Sequence, residues 1–154
     1  MAHADQPLRE EHVHISAPHI YAAALEALEL EAGSSQSFLN LGSGTGYLSC
    51  IVANVLGPRS VHVGVEVSLP TMQHAQESLH QWQAANPDVH VPPLEMIHGN
   101  ALHIDVEQGE AVTGFDRIYI GATVPRRKLH RIAQLLKPGG ILVGPGTCWG
   151  GVNV

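Results

Sequence analysis

Three glycines, Gly42, Gly44 and Gly46, separate two apolar stretches and are the residues of this chain best suited to holding a ligand. Residues 37–41 before them have the length of a buried strand, and residues 47–56 after them are apolar over a helical length. A strand, a tight turn and a helix in this order bring backbone N–H groups towards a nucleotide-like molecule. An ordinary strand-to-helix turn is the alternative interpretation.

The spacing in sequence between the glycine turn and the next acidic residue, Glu66, is a second indication of a ligand site. Glu66 ends a β-branched run over residues 61–66, twenty positions after Gly46. In doubly wound folds, an acidic residue at the end of the second strand accepts hydrogen bonds from the ribose hydroxyls. A solvated charge at a strand end is the alternative, but the spacing from the glycine turn favours the ribose contact.

The glycine spacing also discriminates between ligands. A dinucleotide fingerprint that starts at Gly42 requires glycine at position 47, where this chain has Tyr47. The G-x-G-x-G pattern resembles that of S-adenosylmethionine-dependent methyltransferases. A dinucleotide dehydrogenase is therefore the least favoured interpretation.

Composition indicates one cytoplasmic α/β domain. The chain has 154 residues, 44% of them hydrophobic, and a net charge of −6, so it lacks the basic surface typical of nucleic-acid or anionic-membrane binding. No apolar run has membrane-spanning length, and the N-terminus lacks the apolar core of a signal peptide. The eleven histidines are scattered, and Cys50 and Cys148 form no disulfide framework, so we expect no metal site.

Strand and helix patterns alternate along the chain, which predicts a parallel sheet in a Rossmann-like, doubly wound α/β fold. We expect residues 1–14 to be a polar segment without regular structure, residues 15–146 to form the domain, and residues 147–154 to form a glycine-rich tail. The predicted strands are residues 37–41, 61–66, 94–98, 115–120 and 141–143, and the predicted helices are residues 18–30, 47–56, 70–84 and 126–136.

Four separated segments resemble protein-L-isoaspartate O-methyltransferases: residues 14–19, the glycine turn, residues 115–122 and residues 136–140. The most specific is Ile15-Ser16-Ala17-Pro18-His19, which methyltransferases in general do not share. Residues 38–49 are similar to the subgroup called isoaspartate O-methyltransferase domain-containing proteins.

The resemblance implies site residues. Ser16 matches the active-site serine, Glu66 the ribose ligand, and Asn100, with Ala101 beside it, the position that meets the adenine. The residues implied for S-adenosylmethionine are Val13, His14, Ile15, Ser16, Asn40, Gly42, Ser43, Gly44, Gly46, Glu66, Asn100 and Ala101. Those implied for the acceptor are Ser16, Ala17, Pro18, His19 and Tyr21. From the sequence alone, the N-cap of the helix that follows is the favoured role for Ser16, whereas the family resemblance shifts the balance towards a site role, and both roles can hold together.

The chain departs from the family pattern at several positions. Asn40 and Asn100 stand where aspartate is usual, Tyr21 where histidine is usual, and His14 where threonine is usual. Fourteen residues precede Ile15, where the family has a longer helical segment, and no room remains after residue 146 for its antiparallel strand pair. We therefore expect residues 141–143 to be an uncovered strand edge, open to self-association or to a protein partner.

The resemblance implies S-adenosylmethionine-dependent methylation of isoaspartyl carboxylates in damaged proteins, as a repair activity. The alternative is a module that binds the cofactor but is catalytically weak, either an adaptor or a truncated inactive form. The Ile15–His19 segment favours the enzyme, whereas Asn40, Tyr21 and the short ends favour the alternative.

Overall fold

The computed structural model describes residues 4–11, 13–103, 114–144 and 147–150. Short 3-10 helices cover Ala101–His103 and Arg126–Lys128. The strands are β1 (Leu8–Glu10), β2 (Val13–Ile15), β3 (Ser37–Leu41), β4 (Val61–Glu66), β5 (Leu94–His98), β6 (Phe115–Ile120), β7 (Leu136–Gly144) and β8 (Thr147–Gly150). The α-helices are α1 (Pro18–Ala27), α2 (Tyr47–Leu56), α3 (Leu69–Ala85) and α4 (Leu129–Ala133).

Six strands form the main sheet in the order β5-β4-β3-β6-β7-β8. Strands β3 to β7 pair in parallel, and β8 pairs antiparallel with β7. The chain builds outward from β3 to β5 on one side and then returns to place β6 on the other side of β3. This reversal creates a crevice at the carboxyl ends of β3 and β6, where open α/β sheets bind ligands. The predicted Rossmann-like fold class is confirmed.

Alternating side chains of the strands form two apolar layers. Leu39 and Ile118 face α4, where they pack with Ile132. Phe38 and Tyr119, one position away in each strand, face α1 and α2 on the other side of the sheet. The sheet is therefore covered on both faces, as the continuous apolar strands require.

Element boundaries agree with the sequence where the pattern is strong. The bounds of β3, β4, β5, β6 and α2 are those predicted. Helix α1 stops at Ala27 because Glu29 adopts a left-handed conformation with φ of 47°. The predicted helix over residues 126–136 is a 3-10 turn followed by the short α4.

The expectation of an irregular N-terminal segment is wrong for the described part of residues 1–14. Strands β1 and β2 form an antiparallel hairpin in which Leu8 pairs with Ile15. Its residues are mostly exposed, so no apolar alternation marks β1 in the sequence. Residues 1–3 and 12 lie outside the described ranges.

The expectation of an uncovered edge at residues 141–143 is also wrong. Strand β8 pairs along this stretch of β7, with Ile141 opposite Gly150 and Val143 opposite Cys148. The glycines in residues 147–150 do not prevent this pairing, because ladder hydrogen bonds use only backbone groups. A partner that adds to this edge is thus excluded, since β6 and β8 occupy both sides of β7. Residues 151–154 of the predicted tail lie outside the described ranges.

His62 is buried on β4, and its hydrogen bonds determine which ring nitrogen carries the hydrogen. Ser60 Oγ donates its hydrogen to the Gly57 carbonyl at 2.6 Å, so it must accept from His62 Nε2, which lies 2.7 Å away. Nδ1 is therefore unprotonated, and it has no hydrogen-bond partner within the described structure. Protonation would place an unpaired charge in the core, and burial accordingly lowers the pKa of His62 to about 4.

This arrangement predicts an acid-sensitive stability. Because the folded-state pKa of His62 lies below its ordinary value of 6.5, the unfolded chain binds more protons between these pH values. The free energy of unfolding should fall by up to about 3 kcal/mol from pH 6.5 to 4. Urea titrations across this range would measure the loss. His62→Gln, which can still donate to Ser60, should flatten the dependence, and an equally steep curve for this variant would contradict the assignment.

The pairing of β8 with β7 predicts the effect of removing it. A chain that ends at residue 146 should leave residues 141–144 of β7 unpaired on one side and associate as concentration rises. Hydrogen exchange should be slow across Ile141–Val143 in the full chain and faster in the shortened one. Deletion of residues 151–154 alone is the matched control and should leave exchange unchanged. Equal protection in both deletions would show that β8 does not hold this edge.

Candidate active site

A cleft of about 250 Å³ opens at the carboxyl ends of β3, β4 and β6, at the crevice that the strand order creates. The glycine turn after β3 forms one wall, Ser16 and Tyr21 the opposite one, and Glu66 closes the end at β4. The lining residues are His14, Ser16, Tyr21, Asn40, Gly42, Ser43, Gly44, Thr45, Leu48, Glu66, Val67, Thr71, Tyr119, Gly121 and Ala122.

The glycines of the turn are required by its backbone. Gly42, Gly44 and Gly46 all have positive φ values, between 55° and 75°. At Gly42, a Cβ atom would also lie 2.8 Å from the Cβ of Ala122, at the end of β6. Side chains at all three positions would therefore strain the turn, and one at Gly42 would also push the turn away from Ala122.

The amides of the turn are used mainly within the protein. The N–H groups of Gly42 and Ser43 both donate to the Val65 carbonyl, at 2.8 and 3.0 Å. The N–H of Gly44 donates to Glu66 Oε2 at 2.9 Å. The prediction that turn amides face the ligand is thus wrong for these residues, whose donors hold the turn against β4.

Glu66 connects three elements through one carboxylate. Its Oε2 accepts from Gly44 and its Oε1 accepts from the N–H of Ser68 at 2.9 Å, at the start of α3. Glu66 is only 8% exposed, yet it lines the cleft. A carboxylate has about four lone-pair sites, so each oxygen can accept a further hydrogen bond from a ligand.

Ser16 does not cap α1, contrary to the alternative that the sequence left open. The N-cap is Ala17, without a side-chain hydrogen bond to the helix. Asp5 takes the capping role instead, because its carboxylate accepts from the N–H of His19 at 3.0 Å and contacts its Nδ1 at 2.9 Å. These hydrogen bonds from His19 lower the pKa of Asp5.

The backbone N–H of Ser16 donates to the Tyr21 hydroxyl at 3.1 Å. Tyr21 lies one turn into α1, and its ring packs against Tyr47 with centroids 5.6 Å apart. This contact uses the backbone N–H of Ser16 within the protein, and Ser16 also lines the cleft.

Asn40 is buried at the base of the cleft. Its Nδ2 donates to Ser49 Oγ at 3.0 Å, which ties β3 to α2. Its Oδ1 has no hydrogen-bond partner within the described structure, and neither has the hydroxyl of Ser43. Buried oxygens without partners are uncommon in folded proteins, and both of these residues line the cleft, where a bound molecule can satisfy them.

The other predicted site residues do not all reach this cleft. Strand alternation sends His14 and Ser16 towards it, whereas Val13 and Ile15 line a separate apolar cavity of about 620 Å³ between α2 and α3. Gly46 lines that second cavity, and neither cavity includes Asn100 or Ala101. Asn100 instead accepts from the N–H of Leu102. Of the predicted acceptor residues, Ala17 is buried, whereas Pro18 and His19 are exposed and outside both cavities.

Sequence reasoning missed several residues of the cleft. Tyr119, Gly121 and Ala122 come from the end of β6, which lies beside β3. The rule that parallel strands bind ligands at their carboxyl ends could have indicated this segment. The remaining missed residues are Thr45, Leu48, Val67 and Thr71.

Two further properties hold for residues 4–11, 13–103, 114–144 and 147–150. No helix there combines the length and apolar character that crossing a bilayer requires. No three His, Cys, Asp or Glu side chains in these ranges come together as a set that could bind a metal ion.

Two plant proteins that are similar to this chain in sequence are both named protein-L-isoaspartate O-methyltransferase. The chain is 35% identical over 147 residues to protein-L-isoaspartate O-methyltransferase 1 of Arabidopsis thaliana, covering 94% of this chain and 60% of the relative. It is 30% identical over 135 residues to a protein-L-isoaspartate O-methyltransferase of Triticum aestivum, covering 85% of this chain and 54% of the relative. The chain thus spans little more than half the length of these relatives.

Solved structures agree in fold. A Plasmodium falciparum protein described as a protein-L-isoaspartate O-methyltransferase, in complex with S-adenosyl-L-homocysteine, superposes with a TM-score of 0.72 at 25% identity, over 92% of this chain and 66% of that one. A Salinibacter ruber RNA methyltransferase has a TM-score of 0.61 at 20% identity, over 84% of this chain and 76% of that one. The second likeness concerns the fold alone.

The family model described as protein-L-isoaspartate(D-aspartate) O-methyltransferase (PCMT) matches residues 1–148, which include the glycine turn, Ser16 and Glu66. This chain therefore belongs to the protein-L-isoaspartate(D-aspartate) O-methyltransferase family.

Proposed function

We propose that the cleft binds S-adenosyl-L-methionine and that the protein transfers its methyl group to the carboxylate of L-isoaspartyl residues in damaged proteins. The observation that carries this proposal is the hydrogen bond from the Gly44 amide of the glycine turn to the Glu66 carboxylate. Because the Gly44 amide is held by the Glu66 carboxylate, a phosphate placed there would meet a negative charge. A cofactor with a ribose diol and no phosphate avoids this repulsion.

The polar groups of the cleft fit such a cofactor. Glu66 has acceptor capacity for ribose hydroxyls. Asn40 Oδ1, which lacks a protein partner, can accept from an ammonium group. No lysine or arginine is among the lining residues, which suits a ligand that carries positive charge on sulfur and nitrogen.

Asn100 and Ala101 remain predicted adenine contacts. Asn100 follows β5, at the same edge of the sheet as Glu66. The Asn100 amide oxygen already accepts from Leu102 at 2.9 Å and has a second lone pair for an adenine amino group.

S-adenosyl-L-methionine supplies a methyl group on a sulfonium sulfur. An isoaspartyl carboxyl has an ordinary pKa of about 4, so it is ionised at neutral pH and needs no general base. The protein then has to orient this carboxylate in line with the methyl group. We expect Ser16 to do so through its hydroxyl, because Tyr21 already binds its backbone N–H.

The relatives support an enzyme over a cofactor-binding adaptor. The two plant proteins, 35% and 30% identical over most of this chain, both carry the name protein-L-isoaspartate O-methyltransferase. The retained Ser16 hydroxyl and the formed cleft agree with that activity. The cytoplasmic location indicated by the composition is part of the same proposal.

The first prediction of this proposal concerns Glu66 and the ribose. Glu66→Gln should weaken S-adenosyl-L-homocysteine binding by roughly 1.5–3 kcal/mol, the range for a hydrogen bond to a charged group. Because the substitution also disturbs the Gly44 amide, calorimetry should be repeated with the 2′-deoxy analogue of the ligand. Loss of the hydroxyl should matter less in Glu66→Gln than in the unmodified protein. Equal losses in both proteins would contradict the ribose contact.

The second concerns Ser16 and the acceptor. Ser16→Ala should lower kcat for an isoaspartyl peptide about ten- to a hundredfold, because it removes a hydrogen bond to the reacting carboxylate. Affinity for S-adenosyl-L-homocysteine should stay within about twofold, since the serine acts on the acceptor. Ser35→Ala, an exposed serine away from the cleft, is the matched control. Turnover that is indifferent to Ser16→Ala would remove Ser16 from the mechanism. Absence of methyl transfer by the unmodified protein with cofactor bound would contradict the proposed activity.

A further inference from the structure

Two tyrosines line the cleft to which Ser16 contributes. Tyr21 comes from α1 and Tyr119 from β6, and both side chains line the cleft with Ser16. Tyr119 lies beside Asn40 in the pairing of β6 with β3, so the two side chains leave the same face of the sheet. Tyr21 packs against the apolar cluster that contains Tyr119.

Both phenols have a hydrogen left to donate. The Tyr21 oxygen accepts from the Ser16 amide, so its own O–H is not used in that contact. Tyr119 is 6% exposed, and none of the hydrogen bonds among the described residues involves its hydroxyl. Burial raises the pKa of Tyr119, and Tyr21 beside it raises it further, so the phenol stays protonated at neutral pH.

The lining of the cleft includes His14 but offers no permanently cationic side chain to an acceptor carboxylate. The lining contains no lysine or arginine, and Glu66 adds a negative charge. A cationic partner would stabilise the carboxylate in its ground state and lower its nucleophilicity. Hydroxyl donors can instead orient one oxygen while the other remains free to attack.

On the basis of the proposed function, we propose that Tyr119 and Tyr21 form a paired donor site for the oxygen of the isoaspartyl carboxylate that is not methylated. Ser16, which directly follows β2, is the third hydroxyl donor of this site. The other carboxylate oxygen points to the methyl group. The departure of this chain from the family's histidine at position 21 is then a change of donor rather than a loss of the site.

The test measures acceptor binding directly. An isoaspartyl peptide, and the same peptide with the carboxylate replaced by its amide, would be titrated into protein saturated with S-adenosyl-L-homocysteine. Tyr119→Phe and Tyr21→Phe should each weaken binding of the carboxylate peptide about tenfold or more, as expected when a hydrogen bond to a charged acceptor is removed. The affinities for the amide peptide and for S-adenosyl-L-homocysteine should change by less than about twofold. A purely structural defect would instead lower the affinity for all three ligands.

Tyr47→Phe is the matched control. Tyr47 is half exposed and contacts Tyr21 through its ring, yet its side chain lines the second cavity rather than the cleft. This variant should bind all three ligands as the unmodified protein does. Unchanged carboxylate binding in Tyr119→Phe, or no preference of the unmodified protein for the carboxylate peptide, would overturn the donor pair while the cofactor site stands. Failure of the unmodified protein to bind S-adenosyl-L-homocysteine would instead contradict the proposed function itself.

Discussion

The arrangement of the cleft depends on the Glu66 carboxylate. Its two oxygens accept from Gly44 in the glycine turn and from Ser68 at the start of α3, so one side chain sets the distance between two loops. The Val65 carbonyl adds two more bonds from the turn. Because these turn amides donate to protein acceptors, they are not available to bind a phosphate. The Glu66 carboxylate at this end of the sheet favours a ribose instead. The protein thus shares a strand-turn-helix with dinucleotide enzymes while presenting different chemistry.

The opposite end of the sheet carries a separate polar network. Asp116 Oδ2 accepts from the amide and hydroxyl of Ser37, both at 2.8 Å, and from Lys137 Nζ at 2.7 Å. Burial by itself would raise the pKa of Asp116, but the hydrogen bonds from Lys137 and Ser37 hold it below its ordinary value. This network joins the starts of β3, β6 and β7. Binding groups at the carboxyl ends and stabilising groups at the amino ends are therefore distinct sets of residues, which lets the cleft vary without loss of the sheet.

Local patterns sufficed for the central elements. The bounds of α2 and β4 follow from continuous apolar runs that end at Gly57 and Glu66, and the positive φ of Gly42 follows from the glycine spacing. The hairpin strand β1 and the last strand β8 were not predicted. Neither has an apolar alternation, and each exists because a neighbouring strand offers backbone groups to pair with. Such pairing depends on the backbone groups of the neighbouring strand, so the residues of the paired strand alone do not predict it.

The sequence by itself determined the fold class, the glycine turn and the presence of Glu66 at the end of β4, because each depends on residues close together in the chain. Only the tertiary structure decided which side chains meet across the cleft. Tyr119 lines the same cleft as Ser16 and Tyr21 because β6 inserts beside β3. The Ser16 amide is occupied because α1 brings the Tyr21 hydroxyl within hydrogen-bond distance of it. Contacts between distant segments depend on strand order and helix packing, and no local pattern encodes either of them.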